Sequence, residues 1–235
     1  MPTMTRILLA AGLAMQVGSV AAAKDFTAEY EEALAVEPNL ENGRQLYVNC
    51  ISCHGANGWG KKNGTYPQIA GQLKGVIIKQ LEDIRAGNRS NPLMRAFTSE
   101  RILADAQDIA DIAGYISQLP MSPDNGQGNP ALLDKGKELY AENCTECHGE
   151  NAEGDPKDQT PLMQGQHYMY LARQFNHIRL GLRRNANKKM IQQIKSFKPT
   201  QEAAVLSYTA SIKPPEEKTA AANWYNPDFA YMRRR

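Results

Sequence analysis

The sequence CISCHG, residues 50–55, decides how this chain folds, and the related sequence CTECHG follows at residues 144–149. In each motif two cysteines stand three positions apart, and a histidine directly follows the second cysteine. Side chains three and four positions apart lie on one face of a helical turn, so both thiols and the imidazole project from the same side. A repeated set of such groups indicates that both copies bind the same ligand.

The similarity between the two copies extends beyond these motifs. The segment GRQLYVNCISCHGANGWG (43–60) matches GKELYAENCTECHGENAEG (136–154), with one residue inserted before Cys144. Further residues recur at a constant offset of 94 positions: Pro67, Gly71, Gln72, Gln80, Ile84, Arg85, Gly87, Arg89 and Asn91 recur as Pro161, Gly165, Gln166, Gln174, Ile178, Arg179, Gly181, Arg183 and Asn185. A duplication of this length predicts two domains, residues 40–120 and 131–213, joined by a linker over 121–130.

Each copy contains three segments with helical periodicity and none with sustained two-residue alternation. In the first copy they are NGRQLYVNC, LKGVIIKQLEDIRAG and DAQDIADIAGYISQLP, and in the second LLDKGKELYAENC, YMYLARQFNHIRLG and TQEAAVLSYTASI. Thr200 is the predicted N-cap of the last helix. The sequence therefore predicts an all-α protein of two small domains. Since small domains bury little apolar surface of their own, we expect a large apolar group to complete each core.

Residues 1–23 have the pattern of a secretory signal peptide, with one basic residue, Arg6, an apolar stretch, and small residues ending at Ala23. The apolar stretch is shorter than the roughly 20 residues that a membrane-spanning helix needs. We predict cleavage near Ala23 and export of the mature chain, with an uncleaved membrane anchor as the alternative. An extension, residues 24–39, precedes the first domain, and a tail, residues 214–235, follows the second.

Four cysteines in an exported chain are compatible with disulfides, one structural zinc site, or covalent haem. A disulfide across a two-residue gap constrains the unfolded chain little. A zinc site of four cysteines leaves the two histidines unexplained. In a C-x-x-C-H motif the thiols, here Cys50 and Cys53, add to the vinyl groups of a haem, and the histidine, His54, binds its iron. We therefore predict two covalent haem c groups, and the equivalent residues in the second copy are Cys144, Cys147 and His148.

The sixth iron ligand is predicted from the residues that follow each motif. The first domain has no histidine after His54, and its later methionines are Met94 and Met121, of which Met121 lies in the linker. The second domain offers Met163, Met169, Met190, Met232, His167 and His177. Met190 follows an Arg-x-Asn sequence in a polar loop, as Met94 does, so we predict Met94 and Met190 as ligands. The two histidines are interpreted as satisfied polar side chains, with a haem propionate as the alternative partner of His167.

Together, the paired motifs, a methionine about 40 residues after each, and the GQ…Y…Q…R.G.R.N string resemble the periplasmic dihaem class I cytochromes c of the cytochrome c4 type. The resemblance covers residues 40–212. It implies two class I cytochrome c folds with His and Met on each iron, in the periplasm. It also implies an electron carrier between a donor dehydrogenase or quinol-oxidising complex and a terminal oxidase or reductase. The sequence NANKKM departs from the acidic-proline-methionine pattern of the family, which weakens the assignment of Met190.

A catalytic function is the main alternative. The chain would then be a dihaem subunit of, or an enzyme for, the oxidation of inorganic sulfur compounds, with one iron open or held by a displaceable side chain. Haem attachment uses all four cysteines, and each copy has a suitable methionine, so we favour the carrier. A haem-based sensor would need an output domain, and the sequence shows none.

Charge favours a docking surface on the second domain. Without Arg6 the chain has 26 basic and 25 acidic residues, yet residues 159–201 contain eight basic residues and no acidic one. These are Arg173, Arg179, Arg183, Arg184, Lys188, Lys189, Lys195 and Lys198. A basic rim attracts an acidic redox partner in a salt-dependent way, with a solvated helix face or counter-charges for haem propionates as the alternatives. Nucleic acid is not expected as a partner, and peripheral membrane association stays open.

The tail contains Trp224, Tyr225, Phe229 and Tyr231 and ends in three arginines. Its proline and asparagine residues argue against a helix, so we predict an extended arm. Packing over the sister domain, docking to a redox enzyme and disorder are the three alternatives.

Overall fold

A computed structural model describes residues 26–234 of the chain, and the predicted signal peptide, residues 1–23, lies outside them. Helix α1 (Phe26–Ala35) is followed in the first domain by α2 (Leu40–Tyr47), α3 (Ile51–His54), α4 (Lys74–Arg85), α5 (Pro92–Phe97) and α6 (Ala106–Gln118). The second domain contains α7 (Leu133–Asn143), α8 (Thr145–His148), α9 (Tyr168–Arg179), α10 (Lys188–Ile194) and α11 (Pro199–Ser211). Within the described residues, β pairing is limited to isolated bridges, and the predicted all-α fold is confirmed.

In each domain the helix before the cysteines packs against the last helix, α2 against α6 and α7 against α11. A glycine makes each contact close. A Cβ atom on Gly43 would lie 2.2 Å from Asp111 O, and one on Gly136 would lie 2.2 Å from Ala204 O. The glycine that both copies share before Leu and Tyr is therefore required by the approach of two helix backbones.

The six helices that periodicity predicts are all present, and three local expectations are wrong. Met94 and Met190 lie in short helices, α5 and α10, and not in loops. Each helix begins after an asparagine whose side chain accepts a backbone N–H, Asn91 before α5 and Asn187 before α10. Thr200 is not the N-cap of α11, because the helix begins at Pro199, where a fixed φ angle favours the first helical position.

The N-terminal extension forms a helix that packs on the first domain. Helix α1 contacts α4 and α6, and the buried carboxylate of Glu29 lies 2.6 Å from Nη1 of Arg85. In the second copy the equivalent arginine, Arg179, pairs at 2.7 Å with Glu202 of α11. The extension thus supplies the acidic partner that the second domain provides from its own last helix.

The linker and the tail pair with each other. Met121 and Ser122 of the linker are buried, and Met121 forms a parallel bridge with Thr219 of the tail. The tail contains two 3₁₀ segments, Glu216–Lys218 before this bridge and Pro227–Arg234 after it. The prediction of an extended arm is therefore wrong for these segments, while packing over the sister domain is observed. No helix within residues 26–234 has the length and hydropathy that crossing a bilayer requires.

Candidate haem-binding sites

The two C-x-x-C-H motifs have the same local structure. Helices α3 and α8 each consist of four residues, and each ends with the histidine of its motif. The amide N–H of His54 donates to Cys50 O at 2.9 Å, and that of His148 donates to Cys144 O at 2.9 Å. Glycines with φ near +78° then end both turns. The structure therefore brings the two cysteines and the histidine of each copy together on one helical turn.

In each motif the histidine has a hydrogen bond at Nδ1 that leaves Nε2 available to a metal ion. Nδ1 of His54 lies 3.0 Å from Pro67 O, and Nδ1 of His148 lies 3.2 Å from Pro161 O. A carbonyl oxygen only accepts, so Nδ1 carries the proton and donates it, and the lone pair remains on Nε2. Burial lowers the pKa of both imidazoles and keeps them neutral. A neutral imidazole oriented by a second hydrogen bond is the usual form of a metal-ligating histidine, so the donor set fits haem iron.

The environment of the cysteines excludes both alternatives to haem. All four thiols are free, which contradicts the disulfide hypothesis. The described residues contain no group of three or more Cys, His, Asp or Glu side chains able to hold a metal ion, which contradicts a shared zinc site. Burial raises the pKa of Cys50 to about 12 and that of Cys144 to about 12. These thiols lie against the apolar core of their domains, where an apolar ligand is favoured.

The methionines of the second domain differ in their positions. Met190 is half-buried and packs against the core of that domain, as Met163 does. Met169 is 53 % exposed, and Met232 packs against the core of the first domain. In the first domain Met94 is half-buried on α5. The two predicted methionines therefore stand on separate short helices, 40 and 42 residues after the histidines of their domains.

His167 is a buried histidine whose two ring nitrogens both have protein partners. The N–H of Gly126 donates to Nδ1 at 3.0 Å, and Nε2 lies 2.7 Å from Trp59 O, to which it donates. These bonds connect the second domain with the linker and with the first domain. The interpretation of His167 as a satisfied polar side chain is confirmed.

Two glutamines join the domains by a symmetric exchange. Gln72 donates from Nε2 to Leu162 O at 2.9 Å and accepts from Leu162 N at 3.0 Å. Gln166 donates to Gln68 O at 2.8 Å and accepts from Gln68 N at 3.0 Å. Because Gln166 is the repeat of Gln72 and Leu162 is the repeat of Gln68, the interface has an approximate two-fold axis.

Two arginines meet at the same interface. Arg89 bonds Gln80 of its own domain at 2.8 Å and Gln174 of the other at 3.2 Å. Arg183 bonds Gln174 of its own domain at 3.1 Å and Gln80 of the other at 2.9 Å. Burial, together with the charge of Arg89, lowers the pKa of Arg183 to about 10. Sequence reasoning missed this cluster, although all four residues belong to the set that recurs at the offset of 94.

Comparison with known proteins follows the two-domain division. The sequence profile of the cytochrome c family matches residues 40–120 and 133–213. Cytochrome c4 of Azotobacter vinelandii is 31 % identical over 179 residues, which cover 69 % of this chain and 84 % of that protein. A thiosulfate dehydrogenase electron acceptor of Stutzerimonas stutzeri is 28 % identical over 199 residues, covering 76 % and 90 %. The crystal structure of reduced cytochrome c4 from Pseudomonas stutzeri aligns with a TM-score of 0.65 and 28 % identity, covering 75 % of this chain and all of that one.

Proposed function

This chain belongs to the cytochrome c family, and within it to the dihaem cytochrome c4 type, and from that membership we propose how its residues hold two haems and exchange electrons. It is an electron-transfer protein with two covalent haem c groups, one in each tandem cytochrome c domain. A haem whose iron has two protein ligands would supply one-electron transfer without making a bond to a substrate.

In the first domain Cys50 and Cys53 attach the haem, and His54 and Met94 bind its iron. In the second domain the corresponding residues are Cys144, Cys147, His148 and Met190. The observation that carries this assignment is the hydrogen bond from Nδ1 of each histidine to a proline carbonyl, which leaves Nε2 for the iron. A methionine sulfur as the second iron ligand would favour the ferrous state and raise the reduction potential relative to a second imidazole.

The paired arginines bind the carboxylates of the haems. Arg89 and Arg183 are cations in a polar cluster whose partners are mainly neutral groups, the carboxamides of Gln80 and Gln174 and the hydroxyl of Tyr170. Both arginines are partly buried, and a cation that has lost part of its hydration is stabilised by an anion beside it. A haem carries two carboxylates, so a site between the domains serves both cofactors.

The basic docking surface is smaller than the sequence indicates. Arg183 lies between the domains, Arg179 pairs with Glu202, and Arg173 bonds Thr65 O at 3.3 Å. The exposed basic residues that remain are Lys188, Lys189, Lys195, Lys198 and Arg184, the last of which bonds Gly87 O at 2.6 Å but stays exposed, whereas Arg173 is half-buried. We define these five as the basic patch.

Two exposed leucines belong to the same stretch as the basic patch. Leu180 is 62 % and Leu182 is 56 % exposed, and both precede Arg184. Apolar side chains beside basic ones fit a redox partner with an acidic rim around a small apolar centre. The partner class that follows is an acidic surface on the donor or on the terminal oxidase or reductase.

Reversal of charge tests the basic patch. In the variant K188E/K189E, association with the native partner should slow and lose much of its dependence on salt, because steering is electrostatic. Lys135 and Lys137 on α7 are exposed and lie outside the patch, so K135E/K137E, which changes the net charge by the same amount, is the matched control. Unchanged, salt-sensitive kinetics in K188E/K189E would overturn the docking proposal and leave the haem assignments intact.

The chain acts in the periplasm after removal of residues 1–23. The support is the signal-peptide pattern of these residues and the similarity to cytochromes c4. The N-terminal sequence of protein from the periplasmic fraction tests this. It should begin at or near Lys24, and an intact Met1 would contradict cleavage.

A sulfur-oxidising donor is the second candidate partner. The observation that favours it is the similarity to a protein described as a thiosulfate dehydrogenase electron acceptor. In this function the chain accepts electrons from the dehydrogenase and does not oxidise the sulfur compound itself. Thiosulfate alone should leave the oxidised protein unchanged, and thiosulfate with a dehydrogenase should reduce it. Reduction by thiosulfate alone would indicate an enzyme.

The redox titration of the purified protein tests the carrier function. Two one-electron steps per chain are expected, with both irons keeping their ligands in either state. An iron that binds added carbon monoxide rapidly when reduced would indicate an open site and favour catalysis.

A further inference from the structure

The C-terminal segment, residues 219–232, leaves the second domain and packs on the first. Its path begins at Thr219, which pairs with Met121 of the linker, and continues to Trp224, whose ring centroid lies 5.8 Å from that of Trp59. It ends in a 3₁₀ segment that places Phe229 in the core of the first domain. The chain therefore returns to the domain in which it began.

Asn226 of this segment bonds the loop that follows His54. Its side chain is 1 % exposed, and its Nδ2 donates to Ala56 O at 2.9 Å and to Tyr115 OH at 2.9 Å. Its backbone N–H donates to Oδ1 of Asn57 at 2.9 Å. Ala56 and Asn57 are two and three residues after His54, so the backbone and the side chain of one tail residue, Asn226, together fix this loop.

Phe229 supports the same loop from its apolar side. Its side chain is 1 % exposed, and its ring centroid lies 5.9 Å from that of Tyr47. The hydroxyl of Tyr47 donates to Gly55 O at 2.8 Å. The adjacent Asp228 accepts a hydrogen bond from Tyr115 OH at 2.8 Å. Contacts of Asn226, Asp228 and Phe229 therefore hold the segment in place.

The second domain has the same loop but not this cover. Tyr140 donates to Gly149 O at 2.9 Å and packs against Tyr208 at 5.6 Å between centroids, which repeats the arrangement of Tyr47 and Tyr115. The loop residues Glu150 and Asn151, however, are exposed. The two loops thus differ in their cover, since the tail lies over the loop of the first domain and leaves that of the second exposed.

We propose that Asn226 and Phe229 are positioning residues for the first haem, and that the C-terminal segment raises the reduction potential of this haem. The inference rests on the proposed function through His54 as its ligand. A segment that excludes water from one side of the site lowers the local dielectric, and this favours the less charged ferrous state. The same contacts limit movement of the loop that follows His54. The tail thereby gives the two duplicated haem sites different reduction potentials.

Potentiometry tests the proposal in variants whose two haems titrate as separate waves. In an M190H background the second haem should acquire a second imidazole and a lower potential, so that the upper wave reports the first haem. Adding N226A or F229L should then shift the upper wave downward. We expect at least about a threefold change in the reduction equilibrium constant, where a tenfold change corresponds to about 59 mV. N223A, at an exposed position of the same segment, is the matched control and should leave the wave in place.

The reverse background separates this inference from the assignments on which it rests. With M94H in place of M190H, the upper wave reports the second haem, and N226A should not move it. An unchanged upper wave for N226A and F229L in the M190H background would overturn the proposal. Equal shifts in both backgrounds would also overturn it, because they would indicate a general loss of structure.

If the M190H substitution does not separate the two redox waves, the ligand assignment of Met190 fails. In that case the NMR spectrum of the N226A variant reports the first haem directly through its resolved haem methyl resonances. Resonances unchanged from those of the native protein contradict the positioning role, and shifts confined to one haem support it.

Discussion

The carboxamide of Gln166 makes two hydrogen bonds to the peptide groups of Gln68, donating to the carbonyl oxygen at 2.8 Å and accepting from the amide nitrogen at 3.0 Å. Gln72 repeats this arrangement with Leu162. An exchange in which each domain gives the other the same pair of bonds fixes one relative orientation of the two domains. The relative placement of the two candidate haem sites is therefore set by side chains that the duplication placed at equivalent positions.

The first prediction concerns these glutamines. Q72A and Q166A each leave a backbone N–H and a carbonyl of the other domain without their partners, so each should lower the free energy of unfolding by about 1–3 kcal/mol. Urea unfolding measured by circular dichroism reports the change. Q118A, at an exposed position of α6, is the matched control. Equal stability of Q72A, Q166A and Q118A would show that the exchange does not hold the domains together.

The second prediction concerns the sixth ligand of the second haem. M190A should remove half of the near-infrared methionine-to-iron band of the oxidised protein, because one of two iron–sulfur bonds is lost. M163A and M169A should leave the band at full intensity, since Met163 packs in the core and Met169 is 53 % exposed. A full band in M190A together with half a band in M163A would move the ligand to Met163.

The third prediction concerns the paired arginines. A cation near a haem opposes the extra positive charge of ferric iron, so R89Q and R183Q should each lower the reduction potentials. Because each arginine bonds residues of both domains, each substitution should affect both haems. R101Q, at an exposed position of the first domain, is the control for a change of net charge. Shifts no larger than those of R101Q would contradict a role beside the cofactors.

The fourth prediction concerns pH and His167. Burial is the main cause that lowers the pKa of this imidazole, and the charge of Lys62 acts in the same direction, while the Trp59 carbonyl and Asp124 oppose it. A histidine whose pKa is lower in the folded than in the unfolded chain contributes full stability above its ordinary pKa of about 6.5. That contribution is lost as the pH falls below this value, because the unfolded chain then binds a proton that the folded imidazole, whose Nδ1 accepts from Gly126 N, does not bind.

Unfolding free energies measured between pH 5 and pH 7.5 test this prediction. The native protein should lose stability toward the acid end, and H167N should show a flatter profile because it carries no titrating group. H177N is the control, since His177 is only partly buried. A steeper or equal slope in H167N would contradict the assignment.

The duplication made much of this fold predictable from the sequence. Helical periodicity located α4, α6, α9 and α11, and the offset of 94 residues separated two domains. The cysteine and histidine spacing identified the cofactor because few chemical groups require two thiols and an imidazole on one turn. All of these are sequence patterns that can be recognised without knowledge of the tertiary contacts.

Other features depend on contacts between distant residues and were not predictable in this way. Helix α1 is held by an ion pair between Glu29 and Arg85, which are 56 positions apart. The tail is ordered by Asn226, whose partner Ala56 is 170 positions away. The short helices that carry Met94 and Met190 are too brief to show periodicity, and only their asparagine caps gave a signal.

The near-infrared spectrum of the mature, oxidised protein tests the central claim most directly. With the haem content determined on the same sample, we predict two haems per chain and a methionine-to-iron band that integrates to both of them. We also predict that this band persists at short times after addition of cyanide. A band that accounts for one haem or for none, on a protein that holds two, would contradict an account in which each iron is bound by one histidine and one methionine.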